Sequence, residues 1–454
     1  MHKAAQNQDV LIVGGGFAGL AAALRLHQAG AKIRLVEKRA FFGGRAYSFK
    51  ESKTGETLDN GQHLMMGCYH ETIDFLRALG TLDRLEIQKS LSVGFAEDSR
   101  HFYELKCPNL PAPLHLAWGL LSYRGLAWAD KKAMLDLMRL SRKSGKNGQS
   151  TRLDEISVRE LLTQTGQTRA AVEKFWEPVA LATLNESLDL ASARLFVEVL
   201  RRGLLSKKSD SNLAVAKVGL SELYARPMQD YLEKNGVPIS FNAQALRLCR
   251  ENGRFLVETN QGERLVADRV VLAVPPNALA KLLADSEPEF QGLGSELGRF
   301  GSAPIVSINL WFDDFHPTQR MLGLINSPIH WVFDKAKILT GEKSSHVTLV
   351  VSGAHSLAQE SKENLVKLAL AELTRFFPEL EGKALRHSQV VKELDATFSA
   401  QRGLNRYRPA THTRHDGLFL AGDWTDTGLP ATIESAVLSG HRAADAILEN
   451  QDAS

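Results

Sequence analysis

At 454 residues, 44% hydrophobic and 24% charged, the chain is long enough for two or three domains or one large domain with an insertion, and its composition is that of a globular protein with a sizeable core. Its formal net charge of +3 is too small to argue for a nucleic-acid partner. Three cysteines, Cys68, Cys107 and Cys249, stand far apart without a CxxC pair, which argues against a disulfide framework or a metal site and fits a reducing, cytoplasmic setting.

The opening stretch MHKAAQNQDVLIVGGGFAG has no long apolar core behind its basic start, so no signal peptide is expected. No run approaches the ~18 uninterrupted apolar residues that cross a bilayer. Residues 9–39, DVLIVGGGFAGLAAALRLHQAGAKIRLVEKR, read strand, glycine-rich turn, helix, strand. Val10–Val13 is short and β-branched, as a buried parallel strand should be, and Gly30 stops the helix that carries Ala21, Leu24 and Leu26. A second β-rich run, Ile33–Val36, ends on Glu37.

Residues 138–152, MRLSRKSGKNGQSTR, are polar and basic with little apolar periodicity and predict an exposed loop or linker. Residues 153–235 are mostly helical in pattern. Residues 239–276 alternate β-rich runs with turns at Asn252-Gly253 and Asn260-Gln261-Gly262, which predicts a β-meander returning to a buried strand at Val270–Val274. Further β-rich zones cover 304–312 and 346–353, and a helix covers 362–377. The closing GLFLAGDW, 417–424, leads to a terminal helix from about Thr432.

Gly14, Gly16 and Gly19 form GxGxxG between the first strand and helix. Gly14 permits the tight turn, Gly16 lets backbone approach a pyrophosphate, and Gly19 lets helix and strand pack closely. Phe17 and Ala18 open the helix whose free N–H groups face the phosphates. Glu37, followed by Lys38, sits where a carboxylate accepts hydrogen bonds from a ribose, and an acid there argues against NADP. NAD and FAD remain.

Gly43-Gly44-Arg45 resembles the paired-glycine segment after the dinucleotide fold in flavin-dependent amine oxidases and carotenoid-type desaturases. In those families a segment like 417–447 returns to the cofactor. The resemblance implies that Asp423, after Gly422, holds the ribityl–pyrophosphate region, and that the helix beginning near Thr432 and Ile433 points at the flavin ring. Ala436, Gly440, Ala443 and Ala444 allow that helix to pack tightly. FAD is the expected cofactor. The fold class is α/β with α+β character: a Rossmann-like FAD-binding domain and a discontinuous substrate domain of β-sheet plus helices. The expected division is 1–68, FAD-binding; 69–235, mainly helical and facing substrate or membrane; 236–290, FAD-binding with the meander; 291–400, substrate sheet and helices; 401–454, FAD-binding again.

The stretches FFGGRAYSF, LDNGQHLMMGCYHETIDFLRALG, PAPLHLAWGLLSYRGL, FWEPVALATLNESLDLASARLFVEVL and LAGDWTDTGLPATIESAVLSG together resemble the hydroxysqualene dehydroxylases, within the phytoene desaturase and amine oxidase superfamily. The likeness runs over nearly the whole chain. It implies that hydroxysqualene loses its hydroxyl group and gains hydride from reduced FAD. NAD(P)H or a redox partner would supply electrons, and upstream prenyl-condensing enzymes are candidate partners. Such chemistry asks for an acid, a dry apolar tunnel and stabilisation of an allylic cation. In DNGQHLMMGCY, 59–69, Gly61 and Gly67 allow close backbone approach, and Gly61 and Gln62 are expected at the cofactor. Asp59 and His63 are candidate catalytic groups, with His63 as proton donor and Glu177 as a rival acid; the plainer reading of each is a structural polar group. Residues 111–146 set Trp118, Tyr123 and Trp128 beside Arg124, Lys131, Lys132, Arg139, Arg142, Lys143 and Lys146. That suits a helix in a lipid interface, and the bland alternative is a helix pair with a solvated basic face. Peripheral attachment to the inner face of the cytoplasmic membrane is expected. Competing readings are a phytoene-type desaturase, an amine oxidase with Tyr407 and Trp424 as its aromatic pair, and a non-catalytic isoprenoid carrier.

Overall fold

The computed structural model describes residues 9–143, 149–341 and 344–452. The signal-peptide expectation falls partly on residues 1–8, outside that range. A five-stranded parallel sheet runs in the order Ile239–Ser240, Lys32–Val36, Asp9–Val13, Arg269–Leu272, Leu418–Leu420. Its central strands are buried on both faces, which is why Val10–Val13 and Val270–Leu272 are continuous apolar runs rather than alternating ones. Helix Phe17–Gln28 ends at Gly30, whose φ of +88° is left-handed. Against it lies the last helix, Ile433–Asp452, so closely that a Cβ on Gly440 would stand 2.1 Å from the Ala18 carbonyl oxygen. A residue with any side chain at 440 would push these helices apart.

The meander is Ala245–Glu251, Arg254–Thr259 and Arg264–Ala267, turning at Asn252 and Gly253, both with positive φ. The returning strand stops at Leu272, two residues earlier than its apolar run. A larger sheet takes seven strands in the order Leu385–Phe398, Ser302–Phe312, Ser345–Val351, Trp331–Asp334, Met321–Leu324, Ser92–Ala96, Phe102–Lys106. Alternation divides its faces. Val332, Leu349 and Val351 pack beneath helix Lys362–Phe376, while Trp331, Phe333 and Val350 point the other way, toward an internal cavity. Three wide, π-helical turns interrupt the helical layer at Val172–Trp176, Leu200–Leu204 and Ser221–Ala225. The first two bring Phe175 and Leu204 to the cavity wall.

The loop expected over 138–152 is a correction. Helices Trp128–Lys143 and Gln149–Glu155 occupy most of it, and 144–148 lie outside the described residues. Met134, Leu137 and Ser141 are buried at helical spacing, and Arg139, Arg142 and Arg152, whose charge masked this stripe, are exposed.

Candidate active site

The glycine turn after the first strand is shaped by steric contact. Gly14 has φ +109°, and a Cβ on Gly19 would stand 1.9 Å from the Gly14 carbonyl oxygen. The second glycine segment folds onto the first: Gly43 N–H donates to Gly15 O at 2.9 Å, and a Cβ on Gly44, at φ +55°, would lie 2.9 Å from Gly16 Cα. Together they make a floor free of side chains at the helix N-terminus. Buried Glu37 accepts from Gly15 N–H at 2.7 Å and Arg39 N–H at 2.9 Å, which fixes its carboxylate at the strand end. Tyr224 supports the loop from below, donating to Gly43 O at 2.7 Å and stacking on Phe17 at 3.6 Å.

The C-terminal segment closes the opposite side. Arg45 pairs with Asp423 at 2.5 Å, joining residues 378 positions apart. The turn between Leu420 and the last helix is held by one guanidinium. Arg408 donates to the carbonyls of Asp423 (2.8 Å), Trp424 (3.3 Å), Thr425 (2.6 Å) and Leu429 (2.6 Å). Burial pushes its pKa down to about 10, so it stays charged at neutral pH. Thr432 caps the last helix through Ser435 N–H at 3.1 Å. That helix therefore aims its N-terminus, with Thr432, Ile433 and Ala436, into the same cavity.

The cavity has a volume of 880 Å³ and runs from the glycine floor into an apolar chamber walled by Val93, Phe95, Phe175, Trp331 and Phe333. Residues 60–63 line the same cavity. His63 Nδ1 contacts Gly61 O at 2.7 Å; a carbonyl only accepts, so Nδ1 carries the proton. Burial lowers the His63 pKa, although Asp59 opposes the shift, and the ring is neutral with Nε2 left as an acceptor. The buried Lys335 ammonium donates to Gln62 Oε1 at 2.7 Å and lies 3.9 Å from Asp59. Gln62 thus keeps its amide N–H groups as the free donors. Asp59 itself accepts from Ser48 Oγ and Leu220 N–H, which commits it to the fold.

On the chamber's far side, His330 Nδ1 accepts from the N–H of cavity-lining Ser352 at 3.0 Å, and burial pulls its pKa from 6.5 down to about 4. The unfolded chain then binds the extra proton, so stability is full above pH 6.5 and is lost as pH falls through about 4. Roughly 3 kcal/mol is at stake. Urea midpoints at pH 7 and 4.5 are expected to show the loss, and His330→Gln to flatten it.

Of the expected cofactor residues, Gly14, Gly16, Phe17, Ala18, Glu37, Lys38, Gly43, Gly44, Arg45, Gly61, Gln62, Gly422, Asp423, Thr432 and Ile433 line the cavity. Gly19 instead packs against Gly14, and Gly67 against the Ser209 carbonyl, where a Cβ would stand 1.9 Å away. His63 lines the cavity; Asp59 lies beneath it. Glu177 is a correction. It lies at a separate surface depression with Arg159, Arg169 and Glu173, so its carboxyl, although raised in pKa by burial, does not reach the chamber. Tyr407 stands outside the cavity beneath the Arg299 guanidinium, and Trp424 is locked by its Nε1–H on Val274 O at 3.0 Å. They form no aromatic pair facing the chamber. Lys335, Arg408, Tyr224 and cavity-lining Glu393, whose carboxyl burial raises, carry no local sequence signal.

The cradle fits FAD: a bare glycine floor at one helix N-terminus for pyrophosphate, a buried carboxylate for ribose, and a second helix N-terminus beside an apolar chamber. The flavin containing amine oxidoreductase model matches residues 17–448. The chain is 27% identical over 444 residues to the hydroxysqualene dehydroxylase of Zymomonas mobilis, covering 97% of this chain and 99% of that one. It is 26% identical to a 15-cis-phytoene desaturase of Glycine max, covering 98% and 80%. Cyclohexylamine oxidase from Brevibacterium oxydans shares the fold with a TM-score of 0.67 at 17% identity, covering 98% and 100%. From strand ends to cavity, this chain belongs to the flavin containing amine oxidoreductase family and is an FAD-dependent oxidoreductase.

Proposed function

We propose that the chain reductively dehydroxylates hydroxysqualene to squalene. The observation that carries this reading is the chamber: apolar and aromatic walls in one cavity with the glycine floor, and His63 and Gln62 among the polar groups that line it. Similarity to hydroxysqualene dehydroxylases along both full lengths supports it. When bound and reduced, FAD supplies the hydride that replaces the departing hydroxyl.

The residues do the rest. His63 Nε2 accepts from the substrate hydroxyl and orients it, while Gln62, held by Lys335, donates to its oxygen. Neutral His63 is not a standing acid, so the proton that carries the hydroxyl off as water comes from another source. Trp331 and Phe95, in mutual contact with ring centroids 5.8 Å apart, line the chamber and put aromatic surface beside positive charge on the allylic carbon, and the apolar wall excludes water. Electrons arrive from NAD(P)H or a redox partner.

Anaerobically reduced protein given hydroxysqualene should yield squalene by mass spectrometry. Oxidised protein desaturating phytoene, with no squalene formed from hydroxysqualene, would replace this reading with the desaturase one. His63→Ala is expected to keep FAD and lose roughly tenfold to hundredfold in kcat/KM. Unchanged turnover in that variant removes His63 from the reaction.

A further inference from the structure

Helix Leu114–Ser122 has two apolar faces. Leu116 and Leu120 are buried, and Leu116 lines the cavity. On the other face Leu114, Trp118 and Leu121, at i, i+4 and i+7, are 58%, 59% and 50% exposed. Trp128, at the start of the next helix, is 70% exposed. Lys131 Nζ donates to Leu121 O at 2.8 Å, which sets the end of one helix beside the start of the other. A lone exposed leucine is ordinary, but two tryptophans and two leucines on one short helix pair are not.

The surrounding charge says what covers this face. Arg124, Lys132, Arg139 and Arg142 are exposed along the same two helices and their connection. Asp136 neutralises Arg139 at 3.0 Å, which leaves Arg124, Lys132 and Arg142 to attract an anionic surface. Aromatic side chains beside exposed basic ones match the layered polarity of a bilayer interface: rings at headgroup depth, cations at the phosphates. No helix among the described residues is long and apolar enough to cross a membrane, so this contact lies on the surface.

We propose that this face docks on an anionic lipid bilayer, with Trp118 and Trp128 inserted and the Leu116 face of the same helix kept inward against the cavity. The docking stands whether or not the substrate is hydroxysqualene, and its test needs no turnover. The chain has six tryptophans, and Trp176, Trp311, Trp331 and Trp424 are buried, so a change in emission on adding vesicles reports on the remaining two.

FAD-loaded protein is expected to float with phosphatidylglycerol vesicles at low salt and shift its emission to the blue. Partitioning should be about tenfold weaker on phosphatidylcholine vesicles or at high salt. The Trp118→Ser, Trp128→Ser double variant should retain flavin absorbance and lose both the shift and about tenfold in partitioning. Arg124→Gln with Lys132→Gln should lose about tenfold on anionic vesicles alone. Failure to float at low salt overturns the proposal, as does undiminished flotation of the tryptophan variant. Self-association that shields both tryptophans without lipid would overturn it in favour of a second copy.

Discussion

Arg408→Ala is expected to purify colourless and to unfold with roughly 3–5 kcal/mol less stability than the parent chain. The guanidinium donates to four backbone carbonyls between Asp423 and Leu429. Alanine would strip the Trp424 and Leu429 carbonyls of this donor and leave Asp423 O only Ser435 Oγ and Thr425 O only the Thr427 N–H. Each unsatisfied buried acceptor costs about 1–3 kcal/mol before relaxation. The turn would open to recruit water, moving Asp423 away from Arg45 and loosening the start of the last helix. Arg408→Lys keeps the charge but has three donors on one nitrogen, so it should recover part of the stability and little of the flavin. Denaturation midpoints and the flavin absorbance of dialysed protein separate the two effects. An Arg408→Ala protein that keeps its full complement of FAD would show that the turn holds itself.

Gly44→Ala should leave the fold intact and weaken FAD binding by about a hundredfold. Two costs combine there. An L-residue at φ +55° is disfavoured by about 1–2 kcal/mol, and its Cβ would stand 2.9 Å from Gly16 Cα, so one glycine segment must lift off the other. Gly55 supplies the control, because its φ is +72° and a Cβ there meets nothing within 4 Å. Gly55→Ala carries the backbone cost without the clash and should bind FAD normally. Isothermal titration of both apoproteins tests the contrast.

The parts legible from sequence are those whose cause is local. Strand, glycine turn, helix and Glu37 lie within 29 consecutive residues, Asp9 to Glu37, and each residue type there answers a nearby steric or hydrogen-bonding demand. The terminal helix was equally readable from its small residues, and Gly440 against Ala18 gives the reason. Arg408, Lys335 and Tyr224 were not legible because their partners come from distant segments: Lys335 lies 273 positions from Gln62. Glu177 misled for a related cause. A carboxylate at a helix start can face either side of the layer, and only the packing of Phe175 and Trp176 inward turns it out. In residues 138–152 the density of lysine and arginine hid a narrow buried seam, since an amphipathic helix needs few apolar positions to anchor it.

The parallel sheet places a strand from residues 418–420 beside one from 269–272, two positions from the strand that begins at residue 9. A nascent chain leaving the ribosome therefore carries the phosphate-binding turn long before the strand and helix that close the pocket exist. Flavin capture becomes a late event in biogenesis, gated by the arrival of the tail, and the Arg269–Leu272 strand keeps an unpaired edge until then.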